Sequence, residues 1–432
     1  MSNFNTTKVS NFGQTITGKT PSSTNPEDFG SKYMFVTPTD SFENKLISKT
    51  QRYISEVGRK RFTKKMIPPN SVMVTCIGSA MGKVALNKNE CLTNQQINSI
   101  VVNTEKYNPD YLYYTFLNNY KLLRNAAQGS TSLPNLNKTD FDNLEILVHE
   151  NVVNQQEIAR ILSVLDSKIE LNSKINNELE TMAKTLYNYW FVQFDFPDKN
   201  GKPYKLSGGE MTWCEELKRE TPKGWEIKKI KDLIEEDKSG DWGKGEESGN
   251  YNLEVFCIRG ADINGLNGKE QCNPPKRYIL QKNDHKLLKA NDLIIEISGG
   301  SPTQSTGRIA KISETTEKRF RIPIICSNFC KALTLKDQKL SYNFLYHWNR
   351  LYDNDVFFGY EGKTSGIKNL LFDSFAKSNY LVIPSKDIKE RFFETMERIE
   401  EKRQKTLEEN QKLAELRDWL LPMLMNGQVT VN

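Results

Sequence analysis

Residues 154–190 read NQQEIARILSVLDSKIELNSKINNELETMAKTLYNYW. The opening Asn154-Gln155-Gln156-Glu157 has the form of a capping box, a capping side chain followed three residues later by Glu. After it, Ile158, Leu162, Leu165, Ile169, Asn172, Asn176, Leu179, Ala183, Leu186 and Trp190 recur at alternating steps of four and three. That is the heptad spacing of a helix that buries one narrow stripe against another helix. Adding 234 to each number gives a second stripe: Phe392, Met396, Ile399, Arg403, Thr406, Asn410, Leu413, Arg417, Leu420 and Leu424. Its apolar character is interrupted at Arg403 and Arg417. Both stripes place Asn at the same position, Asn176 and Asn410, where a buried amide fixes helix register. Two matched seams in one chain predict two long helices packed on each other.

Fainter echoes precede each helix. Phe35-Val-Thr-Pro-Thr-Asp40 parallels Cys257-Ile-Arg-Gly-Ala-Asp262, and Asn70-Ser-Val-Met-Val-Thr75 parallels Asn291-Asp-Leu-Ile-Ile-Glu296. Gly82-Lys83-Val84-Ala85 parallels Gly307-Arg308-Ile309-Ala310, Asn94 answers Asn328, Tyr111-Leu-Tyr-Tyr114 answers Tyr342-Asn-Phe-Leu345, and Gly129-Ser-Thr-Ser132 answers Gly362-Lys-Thr-Ser365. Short β-branched and apolar runs between Gly, Ser and Asn turns read as strands of a mixed globule. The order is therefore globule 1–150, long helix 151–195, linker 196–224, globule 225–385 and long helix 386–432. The fold class is α+β: two mixed globules separated by two long helices packed as an antiparallel coiled coil, with a pseudo-twofold internal repeat. The Pro and Gly residues between Asp195 and Gly224 mark the linker. Clear repetition in the helices and faint repetition in the globules predict one scaffold carrying two different recognition surfaces.

Composition narrows the classes. A hydrophobic share of 37% with 21 Phe and 17 Tyr supports folded cores in this 432-residue chain rather than disorder. A formal charge of +6 permits an anionic partner, and the bias sharpens between Lys45 and Lys65. That stretch sets Lys45, Lys49, Arg52, Arg59, Lys60, Arg61, Lys64 and Lys65 against Glu56 alone, as a phosphate-contacting strip would require. Seven cysteines without CxxC spacing suit reduced thiols, and three scattered histidines (His149, His285, His347) argue against a metal site. Neither a secretory leader nor a membrane span is legible, so a cytoplasmic location is expected.

Three motifs invite enzymatic readings. Gly13-Gln-Thr-Ile-Thr-Gly18-Lys19-Thr20 matches the phosphate-loop pattern, but Pro21-Ser-Ser-Thr-Asn-Pro26 follows where a helix is needed. Asn273-Pro274-Pro275 has the start of an adenine-methyltransferase element, with Lys276 where the stacking aromatic belongs. Pro197-Asp198 with Glu216-Leu-Lys218 has the look of a nuclease signature, set in a stretch with nothing to hold it rigid. No catalytic set assembles.

The arrangement resembles the specificity subunit of a type I restriction–modification enzyme over nearly the whole chain. The stretch Asn154 to Met211, including Lys184-Thr-Leu-Tyr-Asn-Tyr-Trp190-Phe191 and Asp198-Lys-Asn-Gly201-Lys-Pro-Tyr204, resembles that family's central conserved region. Leu413-Ala-Glu-Leu-Arg-Asp-Trp-Leu-Leu-Pro-Met-Leu-Met-Asn-Gly427 resembles its C-terminal one. Gly18-Lys-Thr-Pro21 with Phe35-Val-Thr-Pro38, and Pro222-Lys223-Gly224-Trp225, resemble the openings of its two target-recognition domains. The resemblance implies that each globule grips one half of a bipartite site on double-stranded DNA. It also implies two methyltransferase subunits docked on the helices and a translocase-nuclease subunit beside them. S-adenosylmethionine, ATP and magnesium would belong to those partners, and this chain would hold no catalytic residue, no metal and no cofactor. A helix of roughly 35 residues spans about 50 Å at about 1.5 Å per residue, so the helices would act as a ruler longer than one DNA turn. Loop residues then become candidates for DNA contact: Thr39, Asp40, Lys83, Ser130 and Thr131 in the first globule, and Arg259, Gln304, Arg308, Lys363 and Thr364 in the second. Two other classes make different demands. A single-chain nuclease or methyltransferase should bind ATP or S-adenosylmethionine, and a coiled-coil adaptor should show no sequence selectivity on DNA.

Overall fold

The first long helix runs Val152–Tyr187, three residues earlier than the capping-box reading, because Asn151 rather than Asn154 caps it. The Asn151 side-chain oxygen accepts from the backbone N–H of Val153 at 2.7 Å. Gln155 is fully buried instead. Its Nε2 donates to the His149 carbonyl at 2.7 Å and its Oε1 accepts from the Asn108 N–H at 2.9 Å, tying the helix start to the preceding globule. The second long helix is Lys386–Met425. The computed structural model describes residues 4–40, 42–127, 134–270, 272–301, 303–364 and 367–430. These form two units, 1–170 with 411–432, and 171–410, so each long helix contributes to both.

In the first unit, strand Phe4–Lys8 pairs antiparallel with Glu145–His149. A sheet runs in the order Gly13–Thr17, Ile97–Val102, Val72–Thr75, Val84–Asn87, Leu46–Ile47. A second sheet places Tyr33–Val36 between antiparallel Arg52–Ile54 and parallel Cys91–Thr93. Val72–Thr75 is buried on both faces, as its unbroken apolar reading requires. Helix Pro109–Asn118 covers the first sheet. It starts where Asn108 accepts from the Tyr111 N–H and Pro109 fills the first position, and it buries Tyr111, Tyr114 and Phe116. Ile158, Leu162 and Leu424 of the long helices close this core.

The second unit repeats the framework. Glu226–Lys229 pairs antiparallel with Tyr380–Ile383. The sheet order Ile234–Ser239, Cys330–Leu335, Leu293–Glu296, Ile309–Lys311 matches the first four strands of the first sheet, with no counterpart of Leu46–Ile47. Tyr251–Ile258 again lies between an antiparallel neighbour, Lys276–Leu280, and a parallel one, Ile324–Cys326. Helix Ser341–Asp353 replaces Pro109–Asn118 and buries Trp348, whose Nε1 donates to the Gly307 carbonyl at 2.6 Å. The pairs Phe35–Asp40 with Cys257–Asp262, Asn70–Thr75 with Asn291–Glu296 and Gly82–Ala85 with Gly307–Ala310 meet at equivalent strands. Tyr111–Tyr114 and Tyr342–Leu345 lie on equivalent helices, and Gly129–Ser132 lies outside the described residues. Asn70 and Asn291 share a left-handed φ, 61° and 72°. One pairing shifts by a residue. Asn94 N–H bonds to the Val36 carbonyl as Ser327 N–H does to that of Ile258, so Ser327 rather than Asn328 is its counterpart.

The Pro- and Gly-rich stretch read as a linker is folded. Strands Met211–Cys214 and Arg219–Pro222 form a hairpin, and Phe196 stacks between Tyr204 and Trp225 at 4.6 and 4.9 Å. Aromatic burial overrides the turn residues here.

Within the second unit the seam is antiparallel. Asn172 Nδ2 donates to Asn410 Oδ1 at 2.9 Å, and Thr406 Oγ1 donates to Asn176 Oδ1. Asn176 and Asn410 therefore do not face each other. Adding 234 to Asn172 and Asn176 gives Thr406 and Asn410, so each of the two pairs joins one residue to the repeat-mate of the other, and the repeat exchanges the pairs. Arg403 enters the seam against Glu400 at 2.9 Å and Glu180 at 3.4 Å. In the first unit Arg417 meets Asp166 at 2.9 Å, and the Tyr114 hydroxyl donates to the same carboxylate. Both departures from an apolar stripe are thus ion-paired steps.

Candidate nucleic-acid interface

Two glycines place the recognition loops. A Cβ at Gly18 would lie 2.2 Å from the carbonyl oxygens of Thr93 and Asn94, and one at Gly240 would lie 2.0 Å from that of Ser327. At each site the chain crosses a neighbouring strand end with no room for a side chain. The next residue repeats the same bond, Lys19 N–H to the Thr93 carbonyl at 2.8 Å and Asp241 N–H to the Cys326 carbonyl at 2.9 Å. Gly18-Lys19 therefore belongs to strand packing, which accounts for the phosphate-loop pattern without a phosphate.

A second pair of loops follows Tyr33–Val36 and Tyr251–Ile258. Asp40 is buried there, accepting from Thr37 N–H at 2.7 Å, Thr37 Oγ1 at 2.9 Å and Gln51 N–H at 2.9 Å. Asp262 does the same for its turn, accepting from Arg259 N–H at 3.0 Å. Asp40 is a brace, not an exposed reader, because a carboxylate three residues past Thr37 satisfies the turn's own N–H. Thr39 is exposed beside it, 2.8 Å from Thr37 Oγ1. Arg259 points its guanidinium along the same turn. Nε and one terminal nitrogen hold Asp262 at 2.8 and 3.0 Å, and that nitrogen also reaches the Asn273 carbonyl at 3.1 Å.

In the second unit these loops surround a cleft of about 1180 Å³. Arg259, the Ser298–Gly299 strand, Asn328, Phe329, Phe358 and Trp242 line it. Arg277 stacks on the Trp242 ring at 4.0 Å, and Lys368 pairs with Glu361 at 2.9 Å. The equivalent positions of the first unit carry hydroxyls and amides. Thr20 Oγ1 donates to Gln95 Oε1 at 2.6 Å, and Asn94 Nδ2 donates to Gln96 Oε1 at 2.9 Å.

The remaining candidates scatter. Lys83 is half-exposed and 3.2 Å from the exposed Glu43. Arg308, its counterpart, is held in a two-armed pair with Glu296, at 2.8 and 2.7 Å, with only 16% of its side chain exposed. It is a strand-to-strand clasp, which contradicts its assignment to a base. Gln304 is exposed on a turn closed by its backbone pairing with Ser301. Lys363 lies in strand Glu361–Thr364, and the side chains of Lys363 and Thr364 lie outside the described residues, as do Ser130 and Thr131 altogether. The basic strip also divides. Lys45 turns inward to Asp110 at 2.6 Å and over the Tyr114 ring, while Arg59 holds Glu90, and Arg61 holds Glu27 and Asp28. Lys49, Lys60 and Lys64 remain exposed.

Reading the sequence missed Gln95, Gln96, Trp242, Phe329 and Phe358. Gln96 and Phe329 carried a legible signal, a residue preceding a strand in both copies, polar in one and aromatic in the other. Among the described residues no group of three His, Cys, Asp or Glu side chains could hold a metal ion, and no helix is long and apolar enough to cross a membrane.

Known proteins place this framework. Residues 1–181 and 222–417 match the type I restriction modification DNA specificity domain. The type I restriction enzyme MjaIX specificity subunit of Methanocaldococcus jannaschii is 27% identical, over 98% of this chain and 93% of its own. The HindI specificity subunit of Haemophilus influenzae is 32% identical over 180 residues, 41% of this chain and 38% of its own. The crystal structure of a type I restriction–modification S subunit from M. genitalium shares the fold, with a TM-score of 0.59 at 16% identity over 98% of this chain and 96% of that one.

Proposed function

The chain belongs to the family of type I restriction–modification DNA specificity domains, and from that premise we propose that it is the DNA-reading subunit of such an enzyme. It reads a bipartite, asymmetric site and carries no catalysis of its own. Two methyltransferase subunits, with S-adenosylmethionine, modify adenines, and an ATP- and magnesium-dependent translocase subunit completes the assembly on double-stranded DNA. The observation that carries this reading is the repeated strand framework, whose equivalent loops present amides and hydroxyls in one unit and aromatics with Arg259 in the other. One framework with two loop chemistries reads two different half-sites. Thr39, Lys83, Gln95 and Gln96 face the first half-site, and Arg259, Gln304 and Asn328 the second, where amides suit adenine and guanidinium suits guanine. Residues Lys363, Thr364, Ser130 and Thr131 remain candidates by position in their loops. Modules 1–150 and 225–385, each followed by a long helix, are the exchangeable parts.

The test is binding by the purified chain with and without methyltransferase partners. Sequence-selective DNA binding by the assembly, and no binding of S-adenosylmethionine or ATP by the chain alone, are expected. Tight S-adenosylmethionine binding by the isolated chain would instead favour a catalytic protein.

A further inference from the structure

Gln96 and Phe329 occupy one structural position with opposite chemistry. Each immediately precedes an inner strand, Ile97–Val102 or Cys330–Leu335. The backbone carbonyl of each accepts from the turn after the adjoining strand, Cys76 N–H at 2.7 Å and Ile297 N–H at 2.9 Å. In the first unit the side chain is an amide held by Asn94. In the second it is a phenyl ring 54% exposed in the wall of the cleft, with Phe358 and Trp242 each 38% exposed beside it. Three large rings left partly open around one cleft mark a surface built to meet something.

The cations of that cleft are already committed, Arg259 to Asp262 and Lys368 to Glu361. Charge alone therefore does not define what the rings meet. On the DNA-reading function proposed above, the occupant is a duplex. The apolar feature that a duplex displays on its major-groove edges is the thymine 5-methyl group. We propose that Phe329 is a specificity-determining residue that packs on a thymine methyl of the second unit's half-site, while Gln96 reads the corresponding position of the other half-site through hydrogen bonds. The two halves then differ in kind of contact as well as in sequence.

The experiment uses the complete assembly with its methyltransferase partners and its mapped recognition site. Thymines are replaced one at a time by deoxyuridine, which removes only the 5-methyl group, and equilibrium binding is measured. One thymine in the half-site that follows residues 225–385 is expected to lose about fourfold in affinity, the factor associated with burying one methylene-sized group. Phe329→Gln should abolish that sensitivity and leave the other half-site's preferences unchanged, and Phe329→Met should retain part of it. A half-site without thymine, or deoxyuridine tolerated at every thymine, overturns the proposal while the DNA-reading function stands. Loss of all sequence selectivity in the unaltered assembly would overturn that function, and this inference with it.

Discussion

Arg308 and Lys83 occupy equivalent positions, yet truncating them should have different consequences. Glu296 is 3% exposed and boxed against Gly260, where a Cβ would lie 2.6 Å from its Oε1. Both carboxylate oxygens accept from Arg308. Arg308→Ala strands that carboxylate without a counter-charge, and breaking a buried pair from one side costs about 3–5 kcal/mol. The residual exposure of Arg308 lets water reach part of the site, which lowers the expectation to about 2–4 kcal/mol. Removing both charges at similar volume, Glu296→Gln with Arg308→Met, should cost less than about 1 kcal/mol, less than Arg308→Met alone, so a double-mutant cycle on those two substitutions should show a coupling of about 1–3 kcal/mol. Urea unfolding followed by tryptophan fluorescence suits the measurement, because Trp190, Trp213, Trp225, Trp242 and Trp348 lie in the second unit and only Trp419 in the first. A stable Arg308→Ala protein whose methylation motif relaxes at one base pair would refute the clasp and restore Arg308 as a reader.

Other consequences follow from single contacts. Lys83→Ala removes an exposed pair and should change stability by less than about 1 kcal/mol, with any effect confined to one half-site in the methylation map. A large loss of stability would contradict its loop placement. Gly240→Ala forces a Cβ onto the Ser327 carbonyl and should cost about 1–3 kcal/mol or more in urea unfolding, whereas a neutral effect would undo the strand-crossing assignment. Burial pushes the Cys76, Cys257 and Cys326 thiols up to about 12, so iodoacetamide at pH 8 should label them only after unfolding. Rapid labelling of the native protein would show those cores to be open. Four residues inserted near Asn172 add about 6 Å of helix and should lengthen the unread spacer by about one or two base pairs with both half-sites unchanged. An active insertion variant with the original spacer would contradict the helices' role as a ruler.

The seams were legible because a heptad repeat is written along one dimension. Ile158 to Trp190 and Phe392 to Leu424 keep a constant offset through every turn. The strands were legible for a similar reason, since runs such as Val72–Thr75 and Leu293–Glu296 carry their burial in their composition. The interface was not, because it depends on which turns converge. Asp40 has the sequence profile of a loop reader and the geometry of a brace. Insertions between strands shift the offset in the globules, so Asn94 was matched one residue beyond its true counterpart, Ser327. The stretch from Asp195 to Gly224 was misread because turn residues are counted locally, while the Phe196–Trp225 stack joins residues far apart in sequence.

The central claim is that one repeated framework reads two unrelated half-sites independently. Its most direct test replaces residues 1–150 with those of a relative, supplies the methyltransferase partners and maps methylated adenines across a genome. The account predicts a bipartite motif in which one half changes and the other half and its spacing persist. A motif altered in both halves, or a single uninterrupted motif, would contradict it.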